Sequence, residues 1–167
     1  MGFLIRVAGR RDLEAIQGLW LARREAQSKL DARFELAPKA AERAREHREI
    51  VLADPRTQFL VADDRGRLLG FAHAEVESND PAFAPERFGV IADLWVVESR
   101  RREGIGRALL ERSVEWFRSK GLAEYRLTLP ELEISQSAEL SAFLERAGAS
   151  RLVSTLQVGI GAEPSES

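Results

Sequence analysis

Residues 96–110 read VVESRRREGIGRALL: three consecutive arginines, then Gly-Ile-Gly, between an apolar strand-like run and an apolar helix-like run. The first amides of a helix have no partner within it and carry a partial positive charge, so a helix that begins at Gly104 or Gly106 attracts an anion. Glycines there present no Cβ, and phosphates can approach the backbone amides closely. Arg101, Arg102 and Arg107 add charge-assisted donors at the rim. A pyrophosphate suits this chemistry. A solvated basic turn at a glycine-assisted helix start accounts for the same residues without any ligand.

Three phosphate motifs compete for the stretch. A P-loop requires Gly, four residues, then Gly-Lys and a hydroxyl residue, and the chain has no such run. The dinucleotide fingerprint Gly-x-Gly-x-x-Gly has Leu109 at its third glycine and does not open an N-terminal strand-helix-strand unit. The third pattern, (Gln or Arg)-x-x-Gly-x-(Gly or Ala), is met in full by Arg101-Arg102-Glu103-Gly104-Ile105-Gly106.

The elements that position these residues are legible from periodicity. Residues 3–8 read as a strand, and Gly9 to Asp12 turn the chain, with Asp12 expected to cap the following helix through its carboxylate. Leu13, Ile16, Leu19 and Trp20 repeat at helical spacing. After the linking segment LDARFELA, a second helix is expected from near Pro38 through Ala41, Ala44, Ile50 and Val51 to Asp54-Pro55. Residues 58–62 and 67–77 form strands around the hairpin-turn residues 63–66, and 78–87 form a loop with two prolines. The strand at 88–97 is apolar on both faces, as a central strand would be. A helix from Gly104 or Gly106 to Lys120-Gly121 follows, then a strand at 125–129, a helix at 137–147, a final strand at 151–160 and a tail at 161–167. This order predicts an α/β (α+β) fold in one domain spanning 3–160: a mixed, mostly antiparallel sheet with helices on both faces.

Composition limits the function classes. A chain of 167 residues, 44% hydrophobic and 31% charged, has the size of one compact domain. With 25 basic against 27 acidic residues there is no overall basic field for nucleic acid, so any anion site is local. The absence of cysteine removes disulfides, thiolate metal sites and cysteine nucleophiles. No apolar run approaches the roughly 20 residues that span a bilayer, and the N-terminus lacks a signal-peptide core. The expectation is a soluble, cytoplasmic protein with no membrane or nucleic-acid partner.

The hexapeptide 101–106, with IADLWVVES before it and RALL after it, resembles the acyl-CoA-binding core of the GNAT superfamily of N-acetyltransferases, and the opening LIRVAGRRDLEAI is similar to that family's first strand and helix. The resemblance implies direct transfer of an acetyl group from acetyl-CoA, as cosubstrate, to a primary amine of a small molecule or a protein, with no metal. It places backbone groups of Leu94 and Val96 on the pantetheine arm and thioester carbonyl. It wraps Arg101, Arg102, Glu103, Gly104, Ile105, Gly106 and Arg107 around the pyrophosphate. A protonated amine must lose a proton before attack. Asp93, where many members carry an acidic residue, is the first candidate base and Glu75 on the preceding strand the second, against structural or solvated roles for both. His73 shares the face of Glu75 and Glu77, where packing competes with catalysis.

The stretch SAELSAFLERAGA departs from the family, for Leu144 stands where a tyrosine usually protonates the leaving thiolate. A thiol of pKa about 8.5 leaves as thiolate more readily than an alkoxide does, and a nearby helix N-terminus helps it. A non-catalytic acyl-CoA-binding or sensing domain is the rival from another class, and a dinucleotide-binding domain is a third reading. For the acceptor, residues 23–38 and 78–87 are expected to frame the entry, with Phe83, Pro81 and Pro85 as an apolar lip or a homodimer contact. Glu35, Asp80 and Glu86 would suit a cationic acceptor or simply be solvated. The helix from Arg43 to Arg48, interleaved with Glu42, Glu46 and Glu49, reads as a solvated face.

Overall fold

A computed structural model describes residues 2–129, 138–150 and 152. Its strands are β1 (Leu4–Val7), β2 (Thr57–Asp64), β3 (Arg67–Ser78), β4 (Arg87–Val96) and β5 (Tyr125–Leu127). The helices are α1 (Leu13–Leu30), α2 (Ala40–Ala53), α3 (Ile105–Ser119) and α4 (Ala138–Arg146). The sheet runs β1-β2-β3-β4-β5; the first four strands pair antiparallel and β5 joins β4 in parallel. The mixed sheet and the hairpin at 63–66 are as predicted. The predicted strand at 151–160 and the tail at 161–167 lie outside the described residues.

Alternation along the strands divides the core. Phe59, Val61 and Phe71 face α1 and α2, where Ile16 and Val51 meet them. Leu60, Ala62 and Ala72 face α3, against Ile105 and Leu109. Further along α3, Leu110 and Phe117 cover Ala74 and Ile91. Burying a side chain such as Phe71 or Leu60, both fully inaccessible, contributes roughly 1.5 to 3 kcal/mol. Two helical layers on one sheet follow from strands that are apolar on both faces.

One irregularity re-aims β4. The register pairs Asp93 with His73 and Ile91 with Ala74, so Ala92 is an extra residue bulged out of the ladder. The bulge resets the alternation: Ile91, Leu94 and Val96 pack on the α3 side, whereas Trp95 packs on the α1/α2 side. Asp93 turns to that same side and meets α1. Near the end of β4 the two strands approach closely, for a Cβ on Gly70 would sit 2.5 Å from the Trp95 carbonyl oxygen.

Two expectations from sequence are corrected. Asp12 does not cap α1 with its side chain; its carboxylate turns back to accept from the Gly9 amide at 2.8 Å and from two nitrogens of Arg6 at 2.7 and 2.8 Å. A guanidinium offering two aligned bonds outcompetes a single helix amide. Arg48 is not part of a solvated face: it is buried, while Arg45 and Glu49 on the same helix are exposed. Ala44, Arg48 and Val51 share the stripe of α2 that turns inward.

Candidate active site

β4 has a free edge. Its pairing with β5 covers only Gly89, Val90 and Ile91, and no described strand pairs with its outer edge beyond Ile91. The Val97 amide donates to Leu69 of β3 at 2.9 Å. Groups in an antiparallel ladder alternate, so Trp95 also faces β3, while the N–H and C=O of Leu94 and Val96 face the open side. Arg101 confirms this orientation, since its Nε donates to the Val96 carbonyl oxygen at 3.1 Å.

The open edge leads to the start of α3. Gly104 is the N-cap at φ +83°, a left-handed conformation that glycine adopts without steric cost, and a Cβ there would meet nothing within 4 Å. Arg102 is also left-handed, at φ 67°. A Cβ on Gly106 would lie 3.7 Å from the Val96 side chain, which places the free amides of α3 beside the end of β4. Backbone donors and open space thus converge where an anion would be held.

The side chains of this loop divide into two groups. Arg101 lies over Trp95, 4.4 Å from the ring centroid. Glu103 is engaged by Arg100, which also reaches Asp64 at 3.3 Å, so this pair braces the loop against the β2–β3 hairpin. Arg107 is exposed and paired with Glu111 one turn on, at 2.7 Å. Ile105 is buried in the core. Of the residues expected around an anion, Glu103 and Ile105 therefore support the loop, and the glycines shape it.

On the opposite face of the sheet, α1, α2, β2, β3 and β4 line an open cavity of about 200 Å³ bordered by Asp93, His73 and Glu75. Asp93 is buried and ion-paired with both Arg23 and Arg24, the second at 2.8 Å. Glu75 is half-buried, and burial, reinforced by the charge of Glu77, raises its carboxyl above the ordinary glutamate value. His73 is stacked on Phe59 at 5.2 Å, with Nε2 3.6 Å from Glu75 Oε1. Burial lowers its imidazole to about 4, so it is neutral at pH 7. Glu75 also borders a second depression of about 370 Å³ with Asp54, Arg56, Glu77 and Arg87.

The structure therefore brings both predicted carboxylates to one cavity and gives them different surroundings. Sequence reasoning missed Arg23, Arg24 and Arg100. The first pair carried a signal: on α1 the buried stripe runs Leu13, Ile16, Arg23, Gln27, so polar residues continue an apolar face inward. Leu144 lies on α4, and Tyr125, the chain's one tyrosine, stacks on Phe117 at 5.9 Å. Glu35, Asp80, Glu86 and Phe83 are exposed.

A mixed sheet whose fourth and fifth strands part ahead of a glycine-started helix is the architecture of a GNAT acetyltransferase. The profile of the Acetyltransferase (GNAT) family matches residues 20–148, and the chain belongs to that family as an acetyltransferase. Comparison with curated protein sequences gives no significant match. Among solved structures, a mutant of the BH1408 protein from Bacillus halodurans superposes with a TM-score of 0.78 at 20% identity, covering 94% of this chain and 99% of the other. A predicted acetyltransferase from Clostridium acetobutylicum, with acetyl-CoA, gives 0.74 at 16% identity over 95% and 96% of the two chains. The aminoglycoside acetyltransferase AAC(6')-Iy, in complex with the bisubstrate analogue CoA-S-monomethyl-acetylneamine, gives 0.70 at 20% identity over 97% and 100%. Among the described residues no helix is long and apolar enough to cross a membrane, and no group of three metal-ligating side chains occurs.

Proposed function

We propose that the protein transfers an acetyl group from acetyl-CoA to the primary amine of a small-molecule acceptor by direct attack. The observation that carries this reading is the edge of β4, unpaired beyond Ile91 among the described residues, running into the free amides of α3. An extended pantetheine arm can add to a strand edge by main-chain hydrogen bonds, and a pyrophosphate suits the helix start. Leu94 and Val96 offer the strand contacts; Gly104 and Gly106 offer room, and Arg101, Arg102 and Arg107 charge at the rim. The solved relatives with acetyl-CoA or a CoA analogue support the assignment of the cosubstrate.

Acetyl-CoA supplies the activated thioester. The chain's contribution is to hold it and to manage charge and protons. An amide of Leu94 or Val96 aimed at the thioester oxygen stabilises the negative charge that develops there, by roughly 3 to 4 kcal/mol for one preorganised donor. Glu75 takes the base role. A carboxyl raised by burial holds a proton better than a free glutamate, which brings its pKa closer to the operating pH of a general base. Asp93, with both oxygens engaged by guanidiniums, anchors α1 to β4.

Leu144 in the usual tyrosine position supports a second reading, a non-catalytic acyl-CoA-binding domain. One experiment separates the two. The unfolding temperature is measured alone and with excess acetyl-CoA, CoA or NAD, and CoA release is followed across a panel of primary amines. Ligand at about 100 times its dissociation constant stabilises the fold by roughly 2.7 kcal/mol. Protection by acetyl-CoA and CoA with amine-dependent thiol release supports the enzyme, protection without turnover supports the sensor, and protection by NAD alone overturns both.

A further inference from the structure

The cavity on the α1/α2 face holds a buried cation, Arg48, that binding a simple amine does not require. Arg23 and Arg24 both pair with Asp93. Arg48, also in the lining, is buried, with its guanidinium carbon 4.4 Å from the Trp20 ring centroid. Its Nη1 donates to the Gln17 side-chain oxygen at 2.6 Å and to the Ala44 carbonyl at 3.0 Å. Both acceptors are neutral, and among the described residues Arg48 makes no ion pair. Burial lowers its guanidinium to about 10. Asp93 favours the Arg48 charge without bonding to it, and buried charges are ordinarily paired directly, so a buried cation whose two hydrogen bonds go to neutral oxygens can take an anion from outside the chain.

The charges of the cavity lead to the same conclusion. In the lining, Arg24 and Arg48 stand against Asp93 and Glu75, but Asp93 is bonded to Arg24 and, behind the lining, to Arg23, which leaves Arg48 without a carboxylate in hydrogen-bonding contact among the described residues; His73 is neutral at pH 7. Glu75 also borders the neighbouring depression, where Glu77 and Asp54 are accompanied by Arg56 and Arg87, whereas Arg48 sits with Trp20 and Arg24. A polycation would meet excess like charge at the arginine end. A volume of about 200 Å³ is moreover small beside ligand pockets of roughly 300 to 1,000 Å³.

We infer that the acceptor is a small amine that also carries a carboxylate, an amino acid or a close analogue, with its anion on Arg48 and its amine toward Glu75. This rests on the acetyl-transfer reading above. Arg48 then sets specificity, and the aromatic plane of Trp20 holds the guanidinium in position.

The test compares common L-amino acids with their C-terminal amides, and with spermidine and kanamycin, as acceptors for acetyl-CoA. The expected result is a kcat/KM for at least one free amino acid about 10- to 100-fold above that of its amide, with the polycations poorer still. Arg48→Gln should bring that ratio toward one, mainly through KM. If Arg48→Gln fails to fold, the preferred amino acid should still raise the unfolding temperature of the wild type while its amide does not. Acetylation of amides or polycations at equal or higher kcat/KM would overturn the substrate class and leave acetyl transfer standing. Acetyl-CoA protection with no amine acetylated would overturn the transfer reading, and this inference with it.

Discussion

Arg24 Nη2 lies 2.8 Å from Asp93 Oδ2, a bond between residues 69 positions apart that ties α1 to the bulged segment of β4. Arg23, more deeply buried, engages the other carboxylate oxygen. The two guanidiniums satisfy a charge that the interior would otherwise reject.

Removing that carboxylate should unfold the protein before it informs on catalysis. Asp93→Ala removes the carboxylate that two guanidiniums share, one of them buried, and is expected to lower the unfolding free energy by about 3 to 5 kcal/mol. Urea denaturation checks this. A variant as stable as the wild type but with turnover abolished would return Asp93 to the base role.

Glu75→Gln should do the opposite. Turnover is expected to fall about 10²- to 10⁴-fold with acetyl-CoA affinity kept. In the wild type the rate should fall toward acid with a midpoint above the ordinary glutamate value of 4.5, because the base must be unprotonated. The native carboxyl is raised, so the folded state binds more protons than the unfolded one and stability declines as pH rises through that range. Glu75→Gln is therefore expected to raise the unfolding temperature at neutral pH, an advantage absent where Glu75 is protonated in both states.

His73 contributes with the reverse sign. Its native imidazole is lowered from 6.5 to about 4, so between these values the unfolded chain binds the extra proton and the fold loses stability as pH falls. His73→Phe retains a ring to stack on Phe59 and should flatten the stability profile across that window. An unchanged profile would assign the acid sensitivity to other groups.

Gly104 separates conformation from charge. Asn tolerates the left-handed region that Gly104 occupies, whereas Asp there also brings a negative charge to the free amides of α3. Gly104→Asp is expected to weaken acetyl-CoA binding about 100-fold or more, and Gly104→Asn far less, by calorimetric titration. Equal affinities in both variants would remove the pyrophosphate from this loop. Arg107→Ala, by contrast, deletes an exposed i,i+4 pair with Glu111 and should change stability by less than about 0.5 kcal/mol.

Much of this architecture was written locally. Short apolar runs bounded by turn residues marked β2, β3 and β4, the 3.6 period marked α1 and α3, and Gly104 and Gly106 announced a helix start open to an anion, because backbone conformation and amide exposure depend on a few adjacent residues. What the tertiary structure decided was the character of the ionisable groups. Asp93 and Glu75 look alike in sequence, and only the approach of α1 pairs one and leaves the other to burial. The bulge at Ala92 turns Asp93 to that face, and nothing in IADLWVV marks an extra residue, since a bulge is defined against the partner strand. Arg48 reads as one more charge in an alternating run until α2 packs and places it over Trp20. Electrostatic environment is a property of what surrounds a group in space, so contacts across tens of residues decide it where local periodicity cannot.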